Sequence, residues 1–210
     1  MTGKRHIKRL AAPRTWPIER KKSKWIARPT SGPHKLKNCM PLVIILRDIL
    51  KHVKNKREAR HILNNKEILI NKIPRKDYNF PVGLFDIIEI PKLNEQYIVI
   101  FNTKGKISLE KIKKEDTKTK ITKIIGKTTI KKGKSQINLF DGNNYLLDKD
   151  TYKVGDSLII DLENKKIKSH IPLEKGSTIF LIAGSKVGNI GKVKEIINKK
   201  DLQKPKIIYE

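Results

Sequence analysis

The chain has little acid. Its 210 residues include 21 Asp and Glu against 48 Lys and Arg, a formal net charge of +27. It has a single cysteine, Cys39, which excludes a disulfide framework and a Cys-rich zinc site. The longest clean apolar run, residues 42–46, is far short of a membrane span. No apolar stretch follows the basic start of the sequence, so no signal peptide is expected. A reducing, cytoplasmic compartment is the expectation. No basic amphipathic helix or lipid anchor stands out, which argues against an anionic membrane surface as the partner.

Apolar residues make up 37% of the chain, enough for one to three small cores. Charge of one sign at this density repels itself, and a polyanionic partner relieves it. An acidic protein would serve, but nucleic acid fits better, because each neutralised phosphate releases counterions. The charge is concentrated in residues 1–37, with 12 basic residues and one acidic residue. Pro13, Pro17, Pro29 and Pro33 break any long helix there, so residues 1–40 read as an extended basic arm, ordered only on a partner. Trp16 and Trp25 sit among these cations. They either anchor the arm to the next domain or stack on bases and riboses.

From Pro41 a folded domain begins. Leu42, Ile45, Leu46, Ile49 and Val53 recur at helical spacing. A second helix starts at Asn55, an N-cap with Glu58 three residues on, as in a capping box. Ala59, Ile62 and Leu63 form its buried stripe, and Asn64-Asn65 suit a left-handed exit. Two short strands follow, near 68–70 and 73, around an Asn71-Lys72 turn. Another strand is expected at 87–90. From 91 the pattern becomes ten short strands, at 97–101, 106–112, 119–125, 136–140, 145–147, 157–162, 166–169, 178–182, 192–197 and 206–209. Turn signals such as Asp141-Gly142-Asn143-Asn144 separate them. Such spacing argues for small antiparallel barrels or sandwiches.

Two stretches carry candidate chemistry. In Lys56-Arg57-Glu58-Ala59-Arg60, Arg57 and Arg60 are three apart and share a helix face. Two guanidiniums held there can clamp a phosphate backbone; an ordinary solvated face is the equal alternative. Near the far end, Gly184, Gly188 and Gly191 allow positive φ and close backbone approach, with Lys186 and Asn189 projecting from their loop. Other signals fail. Gly133-Lys134-Ser135 lacks the glycine five positions earlier that a P-loop needs, since position 128 is Thr. The five histidines are scattered. Glu115-Asp116, Asp148 and Asp150 fall in polar turns, where solvated carboxylates are the rule. No catalytic constellation, cofactor or metal is expected. The candidate RNA-binding residues are Lys4, Arg5, Lys8, Arg9, Arg14, Trp16, Arg20, Lys21, Lys22, Lys24, Arg28, Lys35 and Lys37 in the arm. Lys54, Lys56, Arg57, Arg60 and Lys66 follow around the helix, then Lys186 and Asn189.

These stretches resemble a known family. The run Lys4-Arg5-His6-Ile7-Lys8-Arg9-Leu10-Ala11-Ala12-Pro13 with Trp16, and Ala27-Arg28-Pro29-Thr30-Ser31-Gly32-Pro33-His34-Lys35 leading to Pro41-Leu42, look like the opening of the archaeal and eukaryotic small-subunit ribosomal protein family S-four-e. The Arg57-Glu58-Ala59-Arg60 helix and its hairpin resemble the S-four RNA-binding module, although Lys72 follows Asn71 where Gly is common. The loop at 184–191 resembles a KOW motif. The resemblance implies a multidomain α+β fold: an arm (1–40), an S-four-like module (41–91), a central β domain (92–172) and a KOW-like β segment (173–210). Because the chain ends at Glu210, a reduced last barrel is expected. The implied function is a structural, non-enzymatic constituent of the small ribosomal subunit. Its implied partners are ribosomal RNA and neighbouring proteins, with no membrane and no small-molecule substrate. The alternatives are an RNA-modifying or RNA-chaperone protein off the ribosome, or a DNA-binding protein.

Overall fold

The computed structural model describes residues 6–130, 133–147, 151–197 and 206–210. Helix and strand are mixed, and sheet predominates. Strand β1 (His6–Lys8) pairs antiparallel with β2 (Trp25–Ala27), with Ile7 opposite Ile26. The arm is therefore a folded-back hairpin on the body, not an extended tail. Trp16 is fully buried, and its Nε1–H donates to the Cys39 carbonyl at 2.7 Å. Ala12 and Ile26 enter the same core. Removing an indole and these aliphatic groups from water opposes the repulsion among the arm's cations.

Strand β3 (Cys39–Pro41) leads into helix α1 (Leu42–Ile44), which continues as a wider π-turn over Ile45–Ile49. Leu42, Val43, Ile44, Ile45 and Leu46 are all buried. Helix α2 (Lys56–Asn64) starts as the sequence predicts: Asn55 Oδ1 accepts from Arg57 N (2.9 Å) and Glu58 N (3.0 Å). Glu58 reaches back to accept from Lys54 N at 2.7 Å. Ala59 and Leu63 face the core. The left-handed exit falls on Lys66 (φ 58°), one residue past the predicted Asn64-Asn65 pair.

Strands β4 (Leu69–Ile70) and β5 (Ile73–Pro74) flank the Asn71-Lys72 turn. Both turn residues have positive φ, 51° and 65°, the mirror-image turn that suits hairpin twist. Lys72 lacks glycine's freedom there, but its Nζ donates to Glu89 Oε2 and Thr117 Oγ1, both at 2.9 Å. These contacts offset the strain of a side chain in that region. Strand β6 (Pro81–Gly83) pairs back onto β3. Then come β7 (Ile87–Ile90), β8 (Glu95–Phe101) and β9 (Ile107–Lys111), giving a five-stranded sheet in the order β5-β4-β7-β8-β9. This sheet runs across the boundary expected between residues 91 and 92, because β7 and β8 hydrogen-bond directly. One core extends from Ala12 to Ile107.

A second five-stranded sheet follows: β10 (Thr119–Thr129), β11 (Ser135–Leu139), β12 (Asn144–Leu147), β13 (Ser157–Asp161) and β14 (Ile167–Ile171), in the order β12-β11-β10-β13-β14. The first half of β10 pairs with β13 and the second half with β11, and a bulge between Ile124 and Gly126 lets it bend. Ile124, Ile137, Leu139, Leu158 and Ile160 make a separate small core. Strands β15 (Thr178–Phe180), β16 (Ile190–Ile197) and β17 (Lys206–Tyr209) form a third sheet. All ten strands expected after residue 91 are present.

Phe180, Ile182 and Val187 pack against the main core, and the Phe180 ring meets Phe85 edge-on at 5.6 Å. Gly188, at φ 84°, explains this contact: a Cβ there would overlap the Asn102 carbonyl oxygen. Its conformational freedom serves packing within the chain.

The joint between the two larger sheets is polar and dry. Asp86 Oδ1 accepts from Lys120 Nζ (2.7 Å) and Asn71 Nδ2 (2.8 Å). Asp86 Oδ2 accepts from Gly83 N (2.8 Å) and His34 Nε2–H (2.9 Å). Lys120 also pairs with Asp141 at 3.1 Å. All four charged or titratable members are buried. Burial pushes the Asp86 carboxyl up, but Lys120, His34 and the Gly83 N–H together hold it well below the usual carboxylate range. Burial would lower Lys120, yet Asp86 and Asp141 raise it. The arm, the β4–β7 segment of the first sheet and the β10 sheet thus meet at one ion cluster.

Candidate nucleic-acid interface

Folding the arm back leaves a cleft of about 770 Å³ between the β1–β2 hairpin and the helical region. The hairpin contributes His6, Arg9, Lys22 and Trp25, and the opposite wall contributes Arg47, Asp48, Lys51, Lys54, Lys56 and Tyr78. Asp48 is the one carboxylate in this lining, and Arg47 neutralises it through hydrogen bonds of 2.8 and 3.0 Å. The cleft therefore carries a clear positive excess. Low-dielectric walls lined by one sign of charge concentrate the field and draw in a polyanion.

Local structure sets each wall. Lys51 takes a left-handed turn (φ 58°) that ends the first helix. Lys54 and Lys56 flank the Asn55 cap, at the positive end of α2, which itself favours anions. Lys56 Nζ and the Arg60 guanidinium lie 4.3 and 4.8 Å from the Tyr78 ring. Burial pushes the Tyr78 phenol up, but hydrogen bonding and charge from Lys56 and Arg60 bring it below its ordinary value. Trp25 is 52% exposed, with Lys24 Nζ at 5.8 Å from its ring. An open indole beside cations is the arrangement on which RNA bases stack.

The cleft brings together four predicted residues: Arg9, Lys22, Lys54 and Lys56. Three arm residues need correction. Trp16 is a core anchor with its one donor used, so it has no face for a base. Arg9 is 6% exposed and braces the hairpin, donating to Ser23 Oγ (3.1 Å) and the Glu19 carbonyl (2.9 Å). Arg20 likewise spends its guanidinium on the carbonyls of Ala12 (2.9 Å) and Pro13 (2.8 Å). Lys8, Arg14, Lys21, Lys24, Arg28, Lys35 and Lys37 are exposed along the arm. Arg57, Arg60 and Lys66 are exposed on and just after α2, and Arg60 is partly engaged by Tyr78. Lys186 is exposed and Asn189 half-buried in the loop before β16, away from the cleft lining. Lys4 and Arg5 lie outside the described residues, as do Asp148 and Asp150.

Arg47, Lys51 and Tyr78 escaped the sequence reading as binding residues. Tyr78 follows Arg75 and Lys76, and that interleaving of cations and an aromatic was the available signal. Among the described residues no group of three or more His, Cys, Asp or Glu side chains could hold a metal ion. No helix among them is long and apolar enough to cross a membrane.

A strongly basic, sheet-rich chain whose folded arm closes a cationic, aromatic-lined cleft belongs to the class of nucleic-acid-binding folds. Comparison with known proteins narrows this. The profile of Ribosomal family S4e matches residues 93–167, and that of the RS4NT (NUC023) domain matches residues 1–37. The small ribosomal subunit protein eS4 of Methanosphaera stadtmanae is 43% identical over 196 residues, 93% of this chain and 81% of that protein. Its counterpart from Nanoarchaeum equitans is 44% identical over 206 residues, covering 98% of this chain and 87% of that one. The crystal structure of the 30S ribosomal protein S4e from Thermoplasma acidophilum aligns with a TM-score of 0.70 at 31% identity, over 78% of this chain and 84% of that chain. The chain belongs to the S4e family of ribosomal proteins.

Proposed function

We propose that this chain is a structural constituent of the small ribosomal subunit, holding ribosomal RNA and making no chemical change to it. The observation that carries the reading is the cationic cleft between the β1–β2 hairpin and residues 43–56 of the helical region, with Trp25 and Tyr78 among its lysines and arginines. The family relationship names the particle, since the relatives are small ribosomal subunit proteins. Mechanistically the action is electrostatic and geometric. Lys22, Lys51, Lys54 and Lys56 neutralise phosphates, and the rigid walls fix the path of the backbone, so sequence-specific base reading is not required. Exposed arm cations from Lys21 to Lys37 extend the contact, and Arg57 adds a guanidinium on the α2 surface. In this reading residues 41–91 serve as the S-four-like module. The central β domain of residues 92–172 lends its first two strands, β8 and β9, to the module's sheet, and residues 173–210 are the KOW-like segment, whose Lys186 loop adds a further phosphate contact. Neighbouring small-subunit proteins are the remaining partners in this reading, and the cytoplasm is the compartment it implies.

The test is sedimentation of tagged chain with cellular ribosomes through a high-salt gradient, followed by RNA crosslinking. Co-migration with small subunits and crosslinks at Lys22, Lys51 or Lys54 are expected. A chain that stays at the top of the gradient, or crosslinks confined to β13–β17, overturns the assignment.

A further inference from the structure

A second cleft, of about 430 Å³, opens where the β4–β5 hairpin meets the β10 sheet, a volume in the range of small-ligand sites. Its charge is unlike that of the first. Arg75, Lys120 and Lys165 are balanced by Asp86, Asp141 and Asp161. In a chain of net charge +27, a neutral pocket is poorly built for a phosphate. Lys120 is held by Asp86 and Asp141, and Asp161 accepts from Glu163 N and Asn164 Nδ2. The groups left to meet an occupant are Asn144, Tyr145, the Arg75 guanidinium and the Oδ1 of Asn143, whose Nδ2 already donates to Asp141 at 3.0 Å, with Lys165 at the exposed rim.

Arg75 is the informative residue. Its guanidinium lies 4.5 Å from the Phe80 ring centroid. Among the described residues it makes no hydrogen bond or ion pair, and its Nε is buried without an acceptor. Its Nε–H is the buried donor left without an acceptor, a cost that something bound would relieve, while the terminal nitrogens stay open to meet an occupant. A guanidinium stacked on a phenyl ring offers a further flat surface, and unpaired RNA bases stack on such planes while side chains hydrogen-bond their edges. A neutral, flat occupant with donors and acceptors on its rim matches this pocket in charge, shape and chemistry.

We propose that this cleft receives one unpaired nucleobase of the bound RNA, stacked with the Arg75–Phe80 pair and contacted at its edge by Asn143, Asn144 and Tyr145. The proposal rests on the RNA-binding reading above and adds to it an enclosed site for one base, where the first cleft mainly neutralises phosphates beside an exposed indole.

The experiment uses the full chain and two RNA hairpins of the same stem, one with a single bulged 2-aminopurine and one fully paired with 2-aminopurine in the stem. Binding is followed by anisotropy and base fluorescence. The bulged hairpin should bind roughly tenfold tighter, with a fluorescence change absent from the paired one. Arg75→Gln and Asn144→Ala should each remove most of that preference while leaving affinity for the paired hairpin and the thermal midpoint unchanged. Equal affinity of the wild-type chain for both hairpins overturns the proposal and leaves the RNA-binding reading standing. So does a preference that survives in the double variant. Failure to bind either hairpin overturns both.

Discussion

Lys120 Nζ sits 2.7 Å from Asp86 Oδ1, with both side chains at most 3% exposed, and joins two sheets whose apolar cores are separate. A pair this dry gains its attraction only after losing the hydration of both charges. The arrangement persists because Asp86 has four hydrogen-bond donors and Lys120 a second carboxylate in Asp141. Its value to the molecule is geometric, since it fixes how the β10 sheet sits against the first sheet at the β6–β7 turn.

Asp86→Asn should therefore destabilise the chain by about 3–5 kcal/mol at neutral pH, because Lys120 is left buried beside a weaker partner. The sign of the pH dependence follows from the depressed Asp86 pKa. Its stabilisation is fully present above the unfolded carboxylate value near ~4 and is lost progressively as pH falls from there towards the depressed folded value. Urea midpoints measured from pH 7 down to about 3 should show the wild-type and Asn variants converging in acid. A gap that is constant across this range contradicts the role given to the charge.

Trp16 separates anchoring from stacking. Trp16→Ala should cost about 3–5 kcal/mol of stability by emptying a core site. Trp16→Phe keeps most of the volume and loses the bond to the Cys39 carbonyl, worth about 0.5–1.5 kcal/mol. At temperatures where Trp16→Phe is folded, its RNA affinity should equal that of the wild type. Trp25→Ala should show the opposite: unchanged stability and weaker RNA binding by about 1–3 kcal/mol. Paired denaturation and binding curves check both.

Gly188→Ala should loosen the third sheet from the body. The substitution meets both an unfavourable φ and the Asn102 carbonyl, so a loss of at least ~1 kcal/mol is expected. Hydrogen exchange should rise in residues 178–197 with little change in α2. An unaffected exchange pattern would mean that this loop does not dock through Gly188.

Much of this architecture was legible in the sequence, and the parts that were not share a cause. The α2 cap and the ten later strands depend on spacings of a few residues, so Asn55, Glu58 and the turn glycines announce them. The folded arm depends on Trp16 reaching Cys39 and Ile26 reaching the main core, contacts that a local pattern does not reveal. Proline content and charge made residues 1–40 look like a tail, and burial of one indole outweighed both. The ion cluster draws on residues 34, 86, 120 and 141, each unremarkable where it stands. One clue was present: Lys120 shares the alternation phase of Ile124, which faces inward on β10. The binding cleft was half visible, since its lysines were recognisable but their neighbours across the cleft were not. This also changes the design of any test of the arm. Deleting residues 1–37 would remove Trp16 and Ile26 from the core, so charge must be altered without removing chain.

The account's central claim is that RNA lies along the cleft between the β1–β2 hairpin and residues 43–56 and is held there through its phosphates. The most direct measurement is the dependence of small-subunit rRNA affinity on salt for the wild-type chain and for a Lys51→Ala/Lys54→Ala/Lys56→Ala variant. The account predicts a steep wild-type slope of log K against log salt, reduced by roughly two to three in the variant. The same slope in both proteins, with unchanged affinity, would contradict it.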